Sequence, residues 1–269
     1  MTRRLTVVTW NINSVRLRLP IVEKLLAEVQ PDVLCLQETK CPDANFPEKA
    51  LRQAGYEHIA INGQKGYHGV ATISRLPINN IERRAFCGIG DSRHIAVDVP
   101  FNGASLRLHN FYVPAGGDEP NREINPKFGH KLDFLGEMKD WLTGEETRRP
   151  SVLVGDLNVA PYEHDVWSHK QLLKVVSHTP VETDLFETVR DSGGWIDAMR
   201  RFTPMEDKLY TWWSYRAKDW SKTDKGRRLD HVWVSEALDH NIRSAKVLRD
   251  ARGWEKPSDH APVIAEFEA

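Results

Sequence analysis

Apolar residues in this chain fall in short runs rich in Val, Ile, Leu and aromatics. Runs at 5–10, 32–37, 70–74, 94–99, 106–112, 152–155, 231–235 and 261–267 predict β-strands. Between the first two, Ile21, Val22, Leu25, Leu26 and Val29 recur on one helical face, and Pro20 suits a first turn. A second helix is predicted from about 126 to 142, where Phe128, Leu132, Leu135, Met138 and Leu142 follow three- and four-residue spacing. Strands outnumber long helices and several adjoin directly. That pattern favours an α/β fold of two packed sheets flanked by helices over one doubly wound parallel sheet. No repeat, low-complexity tract or Pro/Gly/Ser-rich linker divides the 269 residues, so one domain over 1–269 is expected.

The polar residues that interrupt this pattern sit at strand ends. Asn11 ends the first strand, Glu38 the second, and Asp156 with Asn158 a third; Asp230 opens a late strand, and Asp259-His260 precedes the last. A carboxylate directly after a buried apolar run must have its charge solvated, paired or metal-bound. Any one of these is ordinary, because polar residues end strands. If the ends converge, Glu38, Asp156, Asp230 and Asp259 with the two Asn form an oxygen-rich cluster that needs a cation. Hard oxygens of this kind select Mg²⁺, Mn²⁺ or Ca²⁺ over zinc. His260 beside Asp259 reads either as a surface pair or as an imidazole oriented by a carboxylate, and spacing alone does not say which carboxylate. No GxSxG, P-loop, GxGxxG or HExxH motif competes.

Composition changes this picture little. Hydrophobic residues at 40% and charged residues at 28% are ordinary for a soluble globular chain. No run approaches the roughly 18 apolar residues of a membrane helix. The opening Met1-Thr-Arg-Arg-Leu has no signal-peptide core, so a cytoplasmic location away from membranes is expected. Cys35, Cys41 and Cys87 form neither a CxxC pair nor an even disulfide framework, and Cys35 reads as a small core residue. His68 reads as a loop residue that positions backbone. No exposed amphipathic helix or heptad points to an oligomer, so a monomer is expected.

Net charge is −1, which does not by itself suggest a nucleic-acid binder, but local clusters set the field at a groove. Arg216, Lys218, Lys222, Lys225, Arg227 and Arg228 lie close together, with Trp212, Trp213, Tyr215 and Trp220 interleaved. The segment reads either as a DNA-contacting loop, its cations on phosphates and its aromatics on sugars or bases, or as a solvated loop anchored by its tryptophans.

Seven segments, in order along almost the whole chain, resemble the exonuclease III and abasic endonuclease branch of the endonuclease/exonuclease/phosphatase superfamily. They are Thr9-Trp-Asn-Ile-Asn-Ser-Val-Arg16, Leu36-Gln-Glu-Thr-Lys40, Lys65-Gly-Tyr-His-Gly-Val-Ala71, Asn110-Phe-Tyr-Val-Pro114, Gly155-Asp-Leu-Asn-Val-Ala160, Arg228-Leu-Asp-His231 and Ser258-Asp-His260. The resemblance implies a four-layered α/β sandwich and a DNA-repair phosphodiesterase. Such an enzyme incises duplex DNA 5′ to abasic sites and has 3′-to-5′ exonuclease and 3′-end-cleaning activity. It implies Mg²⁺, with Mn²⁺ as a substitute and a second divalent ion as an option. Glu38 would be the principal metal ligand, with Asn11 nearby and Asp259 contributing. Asp156 would activate water, and Asn158 would position that water or the phosphate. Tyr112 would contact the phosphate, and His260, oriented by Asp230, would stabilise its developing charge. With the resemblance in view, Trp212, Arg216 and Arg227 become candidates for contact with DNA, Arg216 by reaching into a groove.

The chain departs from the family pattern at two places. Ala115-Gly-Gly follows Tyr-Val-Pro where some members carry a phosphate-binding Asn, and Arg227 stands where some abasic endonucleases carry a Trp lining the sugar pocket. The Thr211-Trp-Trp stretch keeps two aromatics, which either wall a pocket for an extruded sugar or fill the core. Two other readings remain: a phosphatase or phosphodiesterase on a small or lipid phosphate ester, and a non-catalytic nucleic-acid-binding relative. The second would be marked by a missing catalytic residue, and none is missing.

Overall fold

A computed structural model describes residues 4–142 and 148–269. The opening residues 1–3, part of the segment read above for a leader, lie outside the described residues. Two six-stranded sheets form the body. The first contains β1 (Arg4–Asn11), β2 (Val33–Gln37), β3 (His58–Asn62), β4 (Val70–Ser74), β13 (Ile242–Val247) and β14 (Val263–Glu268), in the order β13-β14-β1-β2-β4-β3. The second contains β5 (Asn79–Glu82), β6 (His94–Phe101), β7 (Ala104–Tyr112), β8 (Ser151–Asp156), β9 (Trp195–Asp197) and β12 (Asp230–Ser235), in the order β5-β6-β7-β8-β12-β9. Between β9 and β12 in sequence, β10 (Trp212–Trp213) and β11 (Gly226–Arg227) make a separate ribbon. Pairing is parallel for β1–β2 and β7–β8 and antiparallel elsewhere, so both sheets are mixed.

Strand alternation builds the layers. Leu5 and Val7 of β1, Val33 and Cys35 of β2, Leu106 and Leu108 of β7, Val152 and Val154 of β8 and Val232 and Val234 of β12 meet between the sheets. Their neighbours face outward. Val8, Trp10, Leu34 and Leu36 pack against α1 (Leu19–Val29) and Leu51 of α2 (Glu48–Gln53). Phe111, Leu153 and Trp233 pack against α3 (Pro126–Trp141) and a later helix, Pro180–Ser192. The result is the expected four-layered α/β sandwich. In chain order the remaining α-helices among the described residues are α4 (His169–Leu172), α5 (the Pro180–Ser192 helix), α6 (Ala198–Phe202) and α7 (Trp220–Thr223). Among the described residues, no helix is long and apolar enough to cross a membrane.

Cys35 is wholly buried, and burial pushes its thiol up to about 12, as suits an inert core residue.

Candidate active site

The inward-facing row of each strand that fills the core with Val and Leu turns polar at one end of the sandwich. Two residues past Thr9 on β1 stands Asn11; two past Cys35 stands Gln37; two past Leu108 stands Asn110, followed by Tyr112; two past Val154 stands Asp156; and two before Val232 stands Asp230. Register aligns them, with Tyr112 opposite Asp156, Asp156 opposite Asp230, and Asn11 opposite Gln37. The floor is a buried amide pair: Gln37 Nε2 donates to Thr9 Oγ1 (2.9 Å) and Asn110 Oδ1 (2.8 Å), and Asn110 Nδ2 donates to the Leu36 (3.2 Å) and Ala71 (3.0 Å) carbonyls. These bonds satisfy Gln37 Nε2 and the Asn110 amide at the boundary between core and site, while Gln37 Oε1 has no partner among the described residues.

Above this floor the two sheets are joined side chain to side chain. Asn11 Nδ2 donates to Glu38 Oε1 (2.9 Å) and across the sheets to Asp156 Oδ2 (2.8 Å). Tyr112 Oη donates to Glu38 Oε1 (2.9 Å), and His260 Nδ1 donates to Asp230 Oδ2 (2.7 Å). The other imidazole nitrogen, Nε2, lies 3.7 Å from Asp156 Oδ2. Asp156 Oδ1 accepts the Asn158 backbone N–H (3.1 Å), while the Asn158 side chain donates to the Val113 carbonyl (2.9 Å). Asp259 accepts from Asn13 Nδ2 (3.1 Å) and Trp212 Nε1 (3.0 Å). Ser258 Oγ donates to the Asn11 carbonyl (2.6 Å), and Trp10 Nε1 donates to that of His260 (2.9 Å), which fixes the Ser-Asp-His turn against β1.

Charge follows this geometry. Burial works against an imidazolium at His260, but Asp230 and Asp156 on either side outweigh it and raise its pKa. Burial raises the Asp156 carboxyl, with the imidazolium pulling the other way. Burial would also raise Glu38, yet the Lys40 ammonium 2.7 Å away and the Asn11 amide hold it below the ordinary glutamate value. Tyr112 is pushed well up by burial and by the Glu38 and Asp156 carboxylates, so its hydroxyl stays a donor.

Two groups of oxygens invite a cation. Asp156, Asp230 and His260 offer ligand atoms within 4.8 Å of one another, but His260 gives Nδ1–H to Asp230 and is held protonated, so these three form an ion triad. The Glu38 side suits a hard divalent ion better. Its carboxylate is bonded by an ammonium and an amide, both standing where positive charge is wanted, and Asp156 and Asn11 adjoin it. As oriented, Asn11 gives its NH₂ group to both carboxylates, so ligation through its oxygen requires the amide to turn over.

A cleft of about 770 Å³ opens over these groups, walled by Ala115, Ser177, Trp212, Arg216, Lys225 and Arg227 among others. The structure separates the aromatic pair: Trp212 lines the cleft, while Trp213 is buried with Tyr210 and Ala261 and donates to Asp224 (3.1 Å). The basic run also divides. Arg228 is wholly inside, paired with Asp165 (2.8 Å) and Asp197 (2.7 Å). It is therefore no part of a DNA-facing patch, because burying that cation required two carboxylates that spacing did not reveal. Arg227 lies over the Trp212 ring (5.4 Å) and donates to the Val176 carbonyl (3.0 Å) and Ser177 Oγ (2.8 Å). Arg216 is exposed at the rim.

Asn11, Glu38, Tyr112, Asp156, Asn158, Asp230, Asp259 and His260 are thus brought together, with Trp212, Arg216 and Arg227 on the wall above them. Two further residues belong to the site. Lys40 bonds Asn13 Oδ1 (2.6 Å) as well as Glu38, and Asn13 links Lys40 to Asp259. Both have positive φ, 48° for Asn13 and 52° for Lys40, in turns just beyond strands, a sharp reversal that alternation does not foretell.

Residues 8–260 match the model of the endonuclease/exonuclease/phosphatase family. The chain is 32% identical to exodeoxyribonuclease III of Haemophilus influenzae, covering 97% of this chain and 98% of that one. It is 30% identical to the DNA repair nuclease APEX1 of Danio rerio, over 96% and 80%. Among solved structures it resembles the 3′ phosphatase NExo from Neisseria bound to a product DNA hairpin, at 34% identity and TM-score 0.89, covering 98% and 99%. It also resembles an AP endonuclease from Archaeoglobus fulgidus, at 31% identity and TM-score 0.89, with the same coverage. A strand-end cluster of this kind on a four-layered sandwich, matched over nearly full length, places the chain in the exodeoxyribonuclease III and AP endonuclease branch of the endonuclease/exonuclease/phosphatase family, a branch of phosphodiester hydrolases.

Proposed function

We propose that this protein is a DNA-repair phosphodiesterase that incises duplex DNA 5′ to abasic sites and trims or cleans 3′ ends, acting as a monomer with Mg²⁺. The observation that carries the reading is the placement of Asp156 between the Asn11 amide and the His260 imidazolium, on the floor of a cleft with cations at its rim.

A phosphodiester is anionic and repels an attacking hydroxide unless cationic groups neutralise it. His260, charged and fixed by Asp230, faces the cleft with Nε2 and would hold the scissile phosphate. The Tyr112 hydroxyl would donate to a phosphate oxygen in place of Glu38. Asp156 would take the proton from the attacking water, and Asn158, fixed by the Val113 carbonyl, would position that water or the phosphate. Glu38, with Asn11, Asp156, Asn158 and Asp259 about it, would hold Mg²⁺ or Mn²⁺, with a second divalent ion as an option. Such an ion supplies charge neutralisation and stabilises the departing 3′ oxygen. Trp212 and Arg227 would wall the space for an extruded abasic sugar, for which base stacking is already lost.

The test is a labelled duplex with one central abasic analogue beside an undamaged blunt duplex, each with Mg²⁺ or with EDTA. Metal-dependent cleavage immediately 5′ to the lesion is expected, and laddering of the undamaged duplex measures the exonuclease. Folded protein that cleaves neither with Mg²⁺ or Mn²⁺ overturns the proposal and directs attention to small phosphate esters.

A further inference from the structure

Lys131 of α3 and Glu182 of α5 form an ion pair with both side chains 0% exposed, and no step above uses either. Burying such a pair gains little over well-packed apolar side chains, because desolvation offsets the attraction. Its other bonds show what apolar side chains could not supply. Lys131 Nζ donates to the main-chain carbonyl of Asn158 (2.7 Å) and reaches that of Ala115 (3.4 Å). The Glu182 carboxylate accepts the Ser177 N–H at both oxygens (3.0 Å each), the Thr179 N–H (3.2 Å) and Thr179 Oγ1 (2.6 Å).

One buried pair therefore joins the loops that follow β7 and β8 to the loop before α5, and each contributes a residue to the cleft: Ala115, Asn158 and Ser177. Asn158 has φ 54°, left-handed backbone that Asn tolerates better than other non-glycine residues, and the buried donor on its carbonyl fixes where that turn stands. The same residue's N–H fixes Asp156 Oδ1. We propose that Lys131, held by Glu182, is a positioning residue that sets the Asn158 peptide, and through it Asp156 and the Asn158 amide, against the phosphate. The inference rests on the nuclease reading above.

The test uses the full chain carrying Lys131→Met with Glu182→Gln, which removes both charges and leaves no orphaned carboxylate. Lys131→Gln with Glu182→Gln, which is also uncharged but keeps polar side chains of similar length, serves if the first double variant does not fold. On the abasic duplex, kcat is expected to fall about 10- to 100-fold, as for a misplacement of about 1 Å, with KM and the Mg²⁺ midpoint each within about twofold of the parent. Unchanged kcat, or a kcat loss matched by an equal shift in the metal midpoint, overturns the inference. Hydrogen exchange reads the tether apart from cleavage: amides in 157–160 and 176–179 should exchange faster while 33–40 stay unchanged, and equal exchange overturns the inference as well. Parent protein that cleaves no duplex defeats the nuclease reading, while exchange still decides the tether.

Discussion

At the scale of single residues, the site depends on charges held where water cannot screen them. Asp156→Asn removes the proposed base and keeps its shape, so turnover should drop at least about a hundredfold with the thermal midpoint little changed. Steady-state cleavage beside a melting curve checks this, and retained activity removes Asp156 from the role. His260→Asn should cost as much, since the imidazolium between Asp230 and Asp156 is lost. Glu38→Ala should chiefly raise the Mg²⁺ concentration needed for half-maximal rate; an unmoved titration would argue against Glu38 as ligand. The acidic and amide residues of this set were legible because several strand ends carry them at once and the segments that resemble the family contain them, although any one alone is an ordinary strand end. Asn13 and Lys40 were not, because a turn carries no periodicity. Arg228 was misleading, because a cation in a basic run looks solvated until its buried partners are seen.

At the scale of elements, most strands with strong alternation were legible, and the two sheets followed from them. The strands missed are those at the sheet edges, β3 and β13 in the first sheet and β5 and β9 in the second, where residues such as Asn79, Asn80 and Ile81 of β5 and Arg243 and Lys246 of β13 meet water, and the two-residue strands β10 and β11 of the ribbon. Gly155 of β8 shows how tightly central strands constrain the motif they carry. It adopts φ +143°, and an added Cβ would fall 1.9 Å from the Phe111 carbonyl oxygen of β7. Gly155→Ala should therefore destabilise the protein by about 3 kcal/mol or more, because backbone of a paired strand has to move; urea unfolding measures it. In the loop above the cleft Arg216 is exposed on the wall, so Arg216→Ala should weaken DNA binding and lower the salt slope of log K by about 1. A slope equal to the parent's would place Arg216 off the DNA.

At the scale of the whole molecule, stability should respond to acid through buried neutral histidines. His231 is wholly buried, donates Nε2–H to the Val159 carbonyl (2.8 Å), and is lowered by burial and by Arg228 to about 3; His94 is likewise lowered well below its ordinary value by burial. The unfolded chain takes up these protons as pH falls through about 6.5, while the native protein does not. Their contribution is thus fully present above that pH and is lost below it, by about 1.4 kcal/mol per pH unit for each. His231→Gln should remove one such share from the slope of unfolding free energy between about pH 6 and 4, and an unaltered slope would contradict a neutral His231 in the native state.

The bonds that cross between the sheets, Asn11 to Asp156, Tyr112 to Glu38 and His260 to Asp230, bear also on the order in which the chain is made. His260 comes after every other residue of the cluster, and β14, which follows it, pairs with β1 at the opposite end of the chain. A ribosome that has delivered Glu38 and Asp156 has delivered carboxylates with no imidazole opposite them and a first sheet in which β1 pairs with β2 but still lacks β14. With His260 in its proposed role, cutting power arrives only once Ser258–His260 and β14 have been made, and a chain truncated before Ser258 should leave duplex DNA intact.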